Sequence, residues 1–594
     1  MKSFFSDSQI RSRDIYEHHP NYPLPPLAPL PNLEHFEFLK DIIPANKVGT
    51  FRFIKFILLI SGFKKFSREL PDNLESLMRK TNLRVGGLFM PVISASLALK
   101  DDPRISDPFE RAATLIKGAY SLHKDISSGT LTPDKYKDHV LEMGQYPNLF
   151  STCTTIINNR AAVLKSTQVQ DVLIMVNRRQ FILRIEQEAS LVSVQQIRDI
   201  LEQISEEAYN NPLKNNETAI GIITASTSGT QFKAFRWLHK NKPDRQNLER
   251  LRHIFITVCL DLESAPLSYS EAVYRSHADN MANRWFHSSL QLVVFGNARA
   301  CVIGNFGTYI DGNVMMRGAA EIQKRAQSEP LDSKNIESPK LSYQKLIWRL
   351  PGNFLRAAWR DVQMILDTQQ ATFEIEGIGR NNFSAYGFQP VNIFIIALEL
   401  AAYRLTGTVA RVTQFLSMSK YRYMGLITAV VTTSEVKEFV EHYIGNPSDK
   451  KRTMHLLKKA VHSISEHTRK MRRTLPFHYL FSFFVNSRKK IHGWFVIFLI
   501  NLTSKFLNRP GIFRLPPREI LISHPAIYPE VPIPGRPGVR LPYVKYFGLH
   551  YQIFDKKTIV TMMPGTLWRI PNTEVITEIR KQLTRLEELI KNNT

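Results

Sequence analysis

The chain has 594 residues, of which 43% are hydrophobic and 22% are charged. This length and composition indicate a globular protein with two or more domains and exclude a low-complexity disordered chain. The net charge of +25 indicates attraction to polyanions, a class that includes nucleic acid, anionic lipid and phosphorylated cofactors, and does not choose among them.

The N-terminal residues, the apolar runs and the cysteines together bear on where the protein is located. Residues 1–14 are charged and polar and lack the apolar core of a signal peptide. The longest apolar runs, 56–60 and 494–500, are far shorter than the roughly 20 residues that span a bilayer. The three cysteines give neither a disulfide framework nor metal-ligand spacing. We therefore expect an intracellular protein without a transmembrane helix, and no metal site.

The first half of the chain alternates between helix and strand patterns. Residues 23–32 are proline-rich and predict an extended strap, followed by a helix over 33–43. Apolar residues at helical spacing predict helix from 107 to 150. Runs rich in β-branched residues predict strands, which fall at 172–176, 181–183 and 221–224. Helical patterns fall between these strands and after them, at 198–207 and 246–252.

The second half continues the mixture. Two strands, 290–295 and 300–303, are joined at the turn pair Gly296-Asn297. The polar segment 324–345 predicts a loop or linker. Three helices are predicted further on, a buried apolar one at 392–405, a basic one at 436–473 and an amphipathic one at 574–589. The proline-rich stretch 508–543 predicts loop and strand. The whole pattern favours an α/β or α+β protein.

Positive charges cluster along 450–473 and at 488–490. A solvated helix face is the interpretation we favour for this cluster. Lys489 and Lys490 lie next to the apolar run that begins at Trp494, so a peripheral contact with an anionic membrane stays open. No zinc spacing, Walker loop or RNA-binding aromatic signature is present, and we expect no specific nucleic-acid partner.

One block of the chain resembles a known family. Asn283-Arg284-Trp285-Phe286, the strand residues 290–294 and then Asp311-Gly312 resemble the central block of the choline/carnitine acyltransferases. Residues 146–153, 397–407 and 547–551 resemble further family motifs in the same order. The resemblance implies an α/β fold of two related chloramphenicol-acetyltransferase-like domains with an interdomain tunnel. One domain would cover 91–349, and the other would combine 1–90 with 350–594.

The resemblance also implies a ligand class. In the family, CoA enters the tunnel on one side and the acceptor alcohol on the other. CoA or an acyl-CoA would therefore act as a substrate of a monomeric protein, with no tightly bound cofactor.

The family's general base is the histidine of its E-H-x-x-x-D-G motif, and this chain lacks it. Counting back from Asp311 places that position on Gly307, or on Phe306 or Asn305 with a small shift. None of these three side chains titrates near neutral pH, as a general base for acyl transfer must.

Four other side chains are candidates for an acid–base role: His524, His478, His287 and Asp311. The first stands where the family has its oxyanion serine, and His287 replaces the aspartate of N-R-W-F-D. A plain turn is the better interpretation of Asp311.

The remaining family positions have changed as well. In the S-T-S motif the second serine corresponds to His524, preceded by Ser523. The three residues that hold carnitine's carboxylate correspond to Gln414, Ile427 and Phe477. Burying a carboxylate there without its arginine partner would be costly, so we expect that carnitine is not the acceptor.

The CoA motif keeps one cation, in Gly379-Arg380. Together the changes favour a non-catalytic member that binds an acyl group, a lipid or a protein partner. An active CoA-dependent O- or N-acyltransferase with a rebuilt site and a non-carnitine acceptor is the alternative. A binder of anionic membrane or nucleic acid is a second alternative, which rests on charge alone.

Overall fold

A computed structural model describes the chain in three main stretches, 94–331, 341–473 and 519–593, together with residues 22–26, 74 and 91. The short segments left out of these stretches are 137–138, 158–159, 168–170, 186–191, 212–216, 368–370, 447, 536–537, 540–545 and 564–569. The predicted helix at 33–43, the apolar runs 56–60 and 494–500, and the cations at 488–490 lie outside the described residues.

The strands are short and spread over the whole described chain. They are β1 (Ser94–Ala98), β2 (Lys135–Tyr136), β3 (His139–Val140), β4 (Thr152–Ile157), β5 (Arg160–Lys165), β6 (Asp171–Val176), β7 (Arg179–Ile185), β8 (Ile254–Asp261), β9 (Leu290–Phe295), β10 (Ala300–Asn305), β11 (Leu341–Leu346), β12 (Leu366–Asp367), β13 (Ala371–Glu376), β14 (Arg411–Ser417), β15 (Leu426–Val430), β16 (Glu519–Ser523), β17 (Ile533–Gly535), β18 (Gly538–Val539), β19 (Tyr546–Ile553) and β20 (Lys557–Met563).

Helices separate most of these strands. They are α1 (Pro108–Ser128), α2 (Val194–Asn210), α3 (Gly221–Thr224), α4 (Ser228–Leu238), α5 (Lys242–Leu251), α6 (Tyr269–Ala278), α7 (Gly312–Ser328), α8 (Gly352–Ile365), α9 (Asn381–Ser384), α10 (Pro390–Thr406), α11 (Ser434–Gly445), α12 (Lys450–Met471) and α13 (Asn572–Lys591). Single 3₁₀ turns lie at Tyr146–Leu149, Met281–Asn283 and Phe306–Thr308.

Two large mixed sheets organise these elements. The first has the strand order β11-β7-β6-β8-β9-β10-β1-β17, and the second has β13-β20-β19-β16-β14-β15. In each sheet three neighbouring strands run parallel, β6-β8-β9 in the first and β14-β16-β19 in the second, and all other pairings are antiparallel. The shared pattern confirms two related α/β units, which no sequence repeat reveals.

The two sheets are not built from separate stretches of chain. Residues Ile533–Gly535, from the segment expected in the second domain, pair with β1 at the edge of the first sheet. Each sheet packs on its own apolar clusters. Helices α1, α2 and α7 cover one face of the first sheet, α3, α4, α6 and α8 contribute to the cluster on its other side, and α10 to α13 cover the second sheet.

Helix α1 illustrates how the sequence sets an element's ends. The side chain of Asp107 accepts a hydrogen bond from the backbone N–H of Phe109 at 2.9 Å, and Pro108 occupies the first turn, where its missing N–H costs nothing. Gly129 ends the helix with φ +74°, a left-handed conformation suited to glycine. The predicted helix over 107–150 is therefore correct only to Ser128.

Three more sequence predictions differ from the structure. The predicted strand 221–224 is the helical turn α3, because an apolar run this short carries no period, and Gly221 packs directly on the backbone of Ala282. The predicted loop 324–345 begins inside α7, where Arg325 pairs with Asp125 and Glu321 on a charged helix face, and it ends in strand β11. The predicted helix 436–473 is broken between α11 and α12.

The other predicted strands and helices of the described stretches are present, with ends displaced by a few residues. Within those stretches no helix has the length and apolarity needed to cross a bilayer. All three cysteines are buried and unpaired, and burial raises the pKa of each thiol to about 12.

Candidate functional site

The block around Asn283 holds the first sheet together. The amide of Asn283 donates to the backbone carbonyl of Leu260 at 3.1 Å and to Oδ1 of Asp261 at 2.9 Å. The guanidinium of Arg284 donates to both oxygens of Asp261, at 3.2 and 2.5 Å, and neither side chain reaches solvent. Burial works to lower the pKa of Arg284, but the Asp261 carboxylate overrides it and the pKa is raised. These residues are structural.

The residues that counting back from Asp311 assigned to the family's base, 305–307, lie at the end of β10 and in the 3₁₀ turn that follows it. There the buried side chain of Asn305 accepts a hydrogen bond from the N–H of Gly307 at 2.8 Å. Its amide donates to the carbonyl of Phe286 at 3.0 Å and to Oγ1 of Thr154 at 3.4 Å. Asn305 thus caps the turn and joins it to two distant segments. These hydrogen bonds give Asn305 a structural role, and residues 305–307 carry no titratable side chain.

Asp311 acts as a helix cap. Its Oδ1 accepts hydrogen bonds from the N–H groups of Asn313 at 2.9 Å and Val314 at 3.1 Å at the start of α7. The Gln145 amide brackets it, with Nε2 donating to Oδ2 at 3.3 Å and Oε1 accepting from the Asp311 N–H at 2.8 Å. Burial raises the pKa of Asp311. Because both oxygens are engaged by donors, a capping role fits better than proton transfer.

The second half of the chain touches this cap directly. A Cβ placed on Gly425, just before β15, would lie 2.5 Å from Nε2 of Gln145 and 2.7 Å from Oδ2 of Asp311. Nearby, the N–H of Glu142 donates to the carbonyl of Ser419 at 2.8 Å. The loop between β14 and β15 therefore packs against the start of α7, a few residues after the turn at Phe306–Thr308.

Gln414 and Ile427 lie together on the second sheet. Gln414 pairs with Ala429 and Leu416 pairs with Ile427, so the two side chains are diagonal neighbours on one face. Both are buried, Ile427 completely. Gln414 also pairs with Ile522 of β16, which brings the end of that strand to the same face.

His524 follows β16 and joins this face. Its ring lies edge-on to the ring of Tyr551, with centroids 5.1 Å apart, and Tyr551 lies on the face of β19 that Ile522 shares through its partner Leu549. Burial, together with the nearby charge of Arg380, lowers the pKa of His524. Ser523 pairs with His550 and lies on the opposite face. The structure brings together His524, Gln414 and Ile427, but not Ser523.

His287 is a core histidine. Its Nε2 lies 2.9 Å from Oε1 of Gln231, and its ring stacks on Phe235 with centroids 5.1 Å apart. Gln231 in turn donates to the carbonyls of Thr224 and Ser226. Complete burial lowers the pKa of His287 to about 3, which makes it a weak base. Phe477 and His478 lie outside the described residues.

Gly379 and Arg380 form the remaining part of the expected CoA site. Gly379 packs tightly on the backbone of Phe554 and Asp555, and the N–H of Arg380 donates to the carbonyl of Phe554 at 2.7 Å. The Arg380 guanidinium is more than half exposed and lies 3.6 Å from the Asp555 carboxylate. A solvent-exposed pair of this kind is weak, so Arg380 remains able to meet a phosphate.

Sequence reasoning missed two residues of this region. Gln145 links the Asp311 cap to Gly425, and Tyr551 supports His524 while its own buried hydroxyl has no hydrogen-bond partner among the described residues. The only available signal for Gln145 was its place immediately before the motif at 146–153. In the described stretches, no cluster of histidine, cysteine and acidic residues has the makings of a metal site.

Comparisons with known proteins agree with this fold. A sequence profile of choline/carnitine O-acyltransferases matches residues 83–520. Carnitine O-acetyltransferase of Rattus norvegicus is 23% identical over 375 residues, which cover 60% of this chain and 59% of that protein. Choline O-acetyltransferase of Sus scrofa is 24% identical over 396 residues, 61% of this chain and 60% of that protein. The chain thus aligns with less than two thirds of each.

Two further comparisons span more of the chain. Carnitine O-acetyltransferase of Homo sapiens is 22% identical over 477 residues, which cover 74% of each protein. Among solved structures, the condensation domain from Monacolin K polyketide synthase MokA is 10% identical with a TM-score of 0.33, covering 84% of this chain and 93% of that one.

Proposed function

Since this chain belongs to the choline/carnitine O-acyltransferase family, we propose that it is a non-catalytic member that binds an acyl group, supplied as acyl-CoA, without transferring it to carnitine. The observation that carries the proposal is the turn at 305–307. The side chain of Asn305 is hydrogen-bonded to Gly307, Phe286 and Thr154. The turn therefore contains no side chain that could take the proton from an acceptor hydroxyl.

The acceptor side supports the same conclusion. Gln414 and Ile427 form a buried face where the family holds a carboxylate, and an amide next to an isoleucine does not neutralise a charge. The same sheet face packs on α10, where Phe394 stacks on Tyr551 with ring centroids 4.1 Å apart, so it supplies no charged partner for a carboxylate. We propose that the bound acyl chain lies between the two sheet-bearing units, in a tunnel bounded by residues 91–349 on one side and 350–594 with 1–90 on the other.

Arg380 supports CoA as the carrier. It is the one cation retained from the CoA motif, and its weak pairing with Asp555 leaves its charge available to a phosphate. Changing Arg380 to glutamine should therefore weaken CoA binding, whereas changing Arg404, an exposed arginine in the last turn of α10, should not.

The first test is isothermal titration with CoA and with palmitoyl-CoA. Micromolar binding of palmitoyl-CoA with weaker binding of CoA supports the proposal. No binding of either at millimolar concentration rules it out. The same protein should then release no CoA from the thioester when offered a panel of alcohols and amines, including carnitine and choline.

A second candidate function is an active transferase that uses His524 as a relocated base. The supporting observation is that His524 shares a face with Gln414 and Ile427, and that burial lowers its pKa and so favours the neutral imidazole that a general base requires. Steady CoA release that disappears in His524→Ala, but not in His455→Ala on the exposed side of α12, would establish this function and exclude the non-catalytic one.

A further inference from the structure

An unusual concentration of exposed apolar side chains lies on one side of the first unit. Large hydrophobic residues with more than a third of their surface exposed are few in the described stretches: Tyr136, Tyr209, Trp237, Leu267, Ile347, Trp359 and Met364. Three of them belong to α4 and α8. Trp237 is 43% exposed, Trp359 40% and Met364 56%.

Helices α4 and α8 lie side by side and antiparallel. At one end, the N–H and hydroxyl of Thr227 and the hydroxyl of Thr230 donate to Oδ2 of Asp361, at 3.1, 2.6 and 2.6 Å. At the other end, the rings of Trp237 and Phe354 lie 6.0 Å apart. These contacts fix the two helices as a pair.

Both helices pack on the same apolar cluster, so their outer faces point in the same direction. Phe235 and Leu238 of α4 and Ala358 and Val362 of α8 all belong to this cluster. The opposite sides of the helices therefore form one continuous outer surface, which we call the α4/α8 face.

Cations surround the indoles on this face. The exposed residues Lys233 and Arg236 follow one stripe of α4, exposed Lys240 lies two residues beyond the end of that helix, and exposed Arg356 and Arg360 follow one stripe of α8. The one acidic residue of the two helices, Asp361, is turned inward to the threonines. Among the described residues, Lys233, Arg356 and Arg360 form no ion pair. Five exposed cations thus lie on or just beyond these two helices, whose single carboxylate points inward.

We propose that the α4/α8 face docks on an anionic membrane surface. Tryptophan prefers the boundary between headgroups and acyl chains, and lysine and arginine meet the lipid phosphates and carboxylates at the same depth. The exposed side chain of Met364 can enter the layer where the lipid acyl chains begin, whereas a nucleic acid would offer it no apolar surface to contact. The inference rests on this face alone and does not depend on the proposed acyl binding.

The test measures co-sedimentation of the full chain with vesicles of phosphatidylcholine alone and of phosphatidylcholine with one fifth phosphatidylserine. Binding to the second and not to the first, weakening as salt rises, is the expected result. Brominated lipids should quench part of the tryptophan fluorescence, and Trp359→Ser should remove a share of that quenching.

Paired variants locate the contact. The double change Arg356→Glu with Arg360→Glu should weaken vesicle binding by at least roughly 25-fold, since each cation near an anionic surface contributes about fivefold. The control changes Lys451→Glu and Lys458→Glu, exposed cations on α12, alter the net charge equally and should weaken binding only slightly. Circular dichroism verifies that all variants fold.

Three results would overturn the proposal. The first is no binding to the phosphatidylserine vesicles. The second is an equal loss in the α8 and α12 variants, which would reflect overall charge. The third is salt-sensitive binding of single-stranded RNA that Arg356→Glu abolishes while vesicle binding is unchanged, which would assign the face to nucleic acid.

Discussion

The role of Asn305 can be tested by removing its amide. In Asn305→Ala the carbonyl of the buried Phe286 and the N–H of the half-buried Gly307 both lose their hydrogen-bond partner. An unsatisfied buried carbonyl costs about 1–3 kcal/mol, and loss of a side-chain cap costs about 1 kcal/mol. The Thr154 contact at 3.4 Å is too long to add much. We expect a loss of about 2–4 kcal/mol in the free energy of unfolding.

Urea unfolding followed by circular dichroism and tryptophan fluorescence measures this loss. Asn313→Ala is the matched control, because that asparagine lies close by at the start of α7 and its side chain makes no hydrogen bond with the described residues. The control should change stability by less than about 0.5 kcal/mol, as surface substitutions usually do. Palmitoyl-CoA affinity should be unchanged in both proteins under conditions where they remain folded.

A change below about 0.5 kcal/mol in Asn305→Ala would refute the structural role of the turn. Asn305→Asp adds a pH test. The new carboxylate would be buried, so its pKa should rise above the unfolded value of about 3.9. The contribution of this variant to stability should therefore be greatest at low pH and decrease as the pH rises through the folded-state pKa. Unfolding measured at pH 5 and pH 8 should show the larger defect at pH 8.

Three further predictions concern stability. Asp261→Asn leaves Arg284 buried without its counter-charge and should cost about 3–5 kcal/mol in urea unfolding, whereas Glu249→Gln, an exposed carboxylate, should cost little. Gly425→Ala should lower the thermal midpoint because its Cβ would overlap Gln145 and Asp311, whereas Gly312→Ala, with nothing within 4 Å, should not. Burial raises the pKa of Glu399 from 4.5 to about 8, so stability should fall as the pH rises from about 4.5 to about 8. Glu399→Gln should flatten that part of the profile, and an equal slope in both proteins would contradict the assignment.

The sequence predicted strands best where an alternating or apolar run was long enough to have a period. Strand β9, together with its turn at Gly296, was predicted at its true bounds. The run 221–224 was mistaken for a strand because four apolar residues fit either period, and its helical turn depends on Gly221 lying against Ala282, 61 residues away. Tertiary contacts decide whether such a short segment becomes helix or strand, and a local sequence pattern carries no information about those contacts.

The candidate site was predictable in location but not in detail. Counting from Asp311 located the turn at 305–307. The role of Asn305 as a cap follows only from its contacts with Phe286, in the loop before β9, and with Thr154, in β4. The face shared by Gln414, Ile427 and His524 likewise depends on strand register, because a shift of one residue would place Ser523 there in place of His524.

The family resemblance itself reflects fold more than chemistry. Asn283 and Arg284, its most recognisable residues, bind Asp261 and the carbonyls of the central strands, and neither reaches solvent. Substituting either member of such a buried ion pair is strongly destabilising, because the other charge is then buried without a partner. The turn after β10 lacks that constraint, because asparagine, like other small polar residues, supplies the cap that the backbone requires. The N-R-W-F block therefore stabilises the first sheet, and its presence alone is no argument for catalysis.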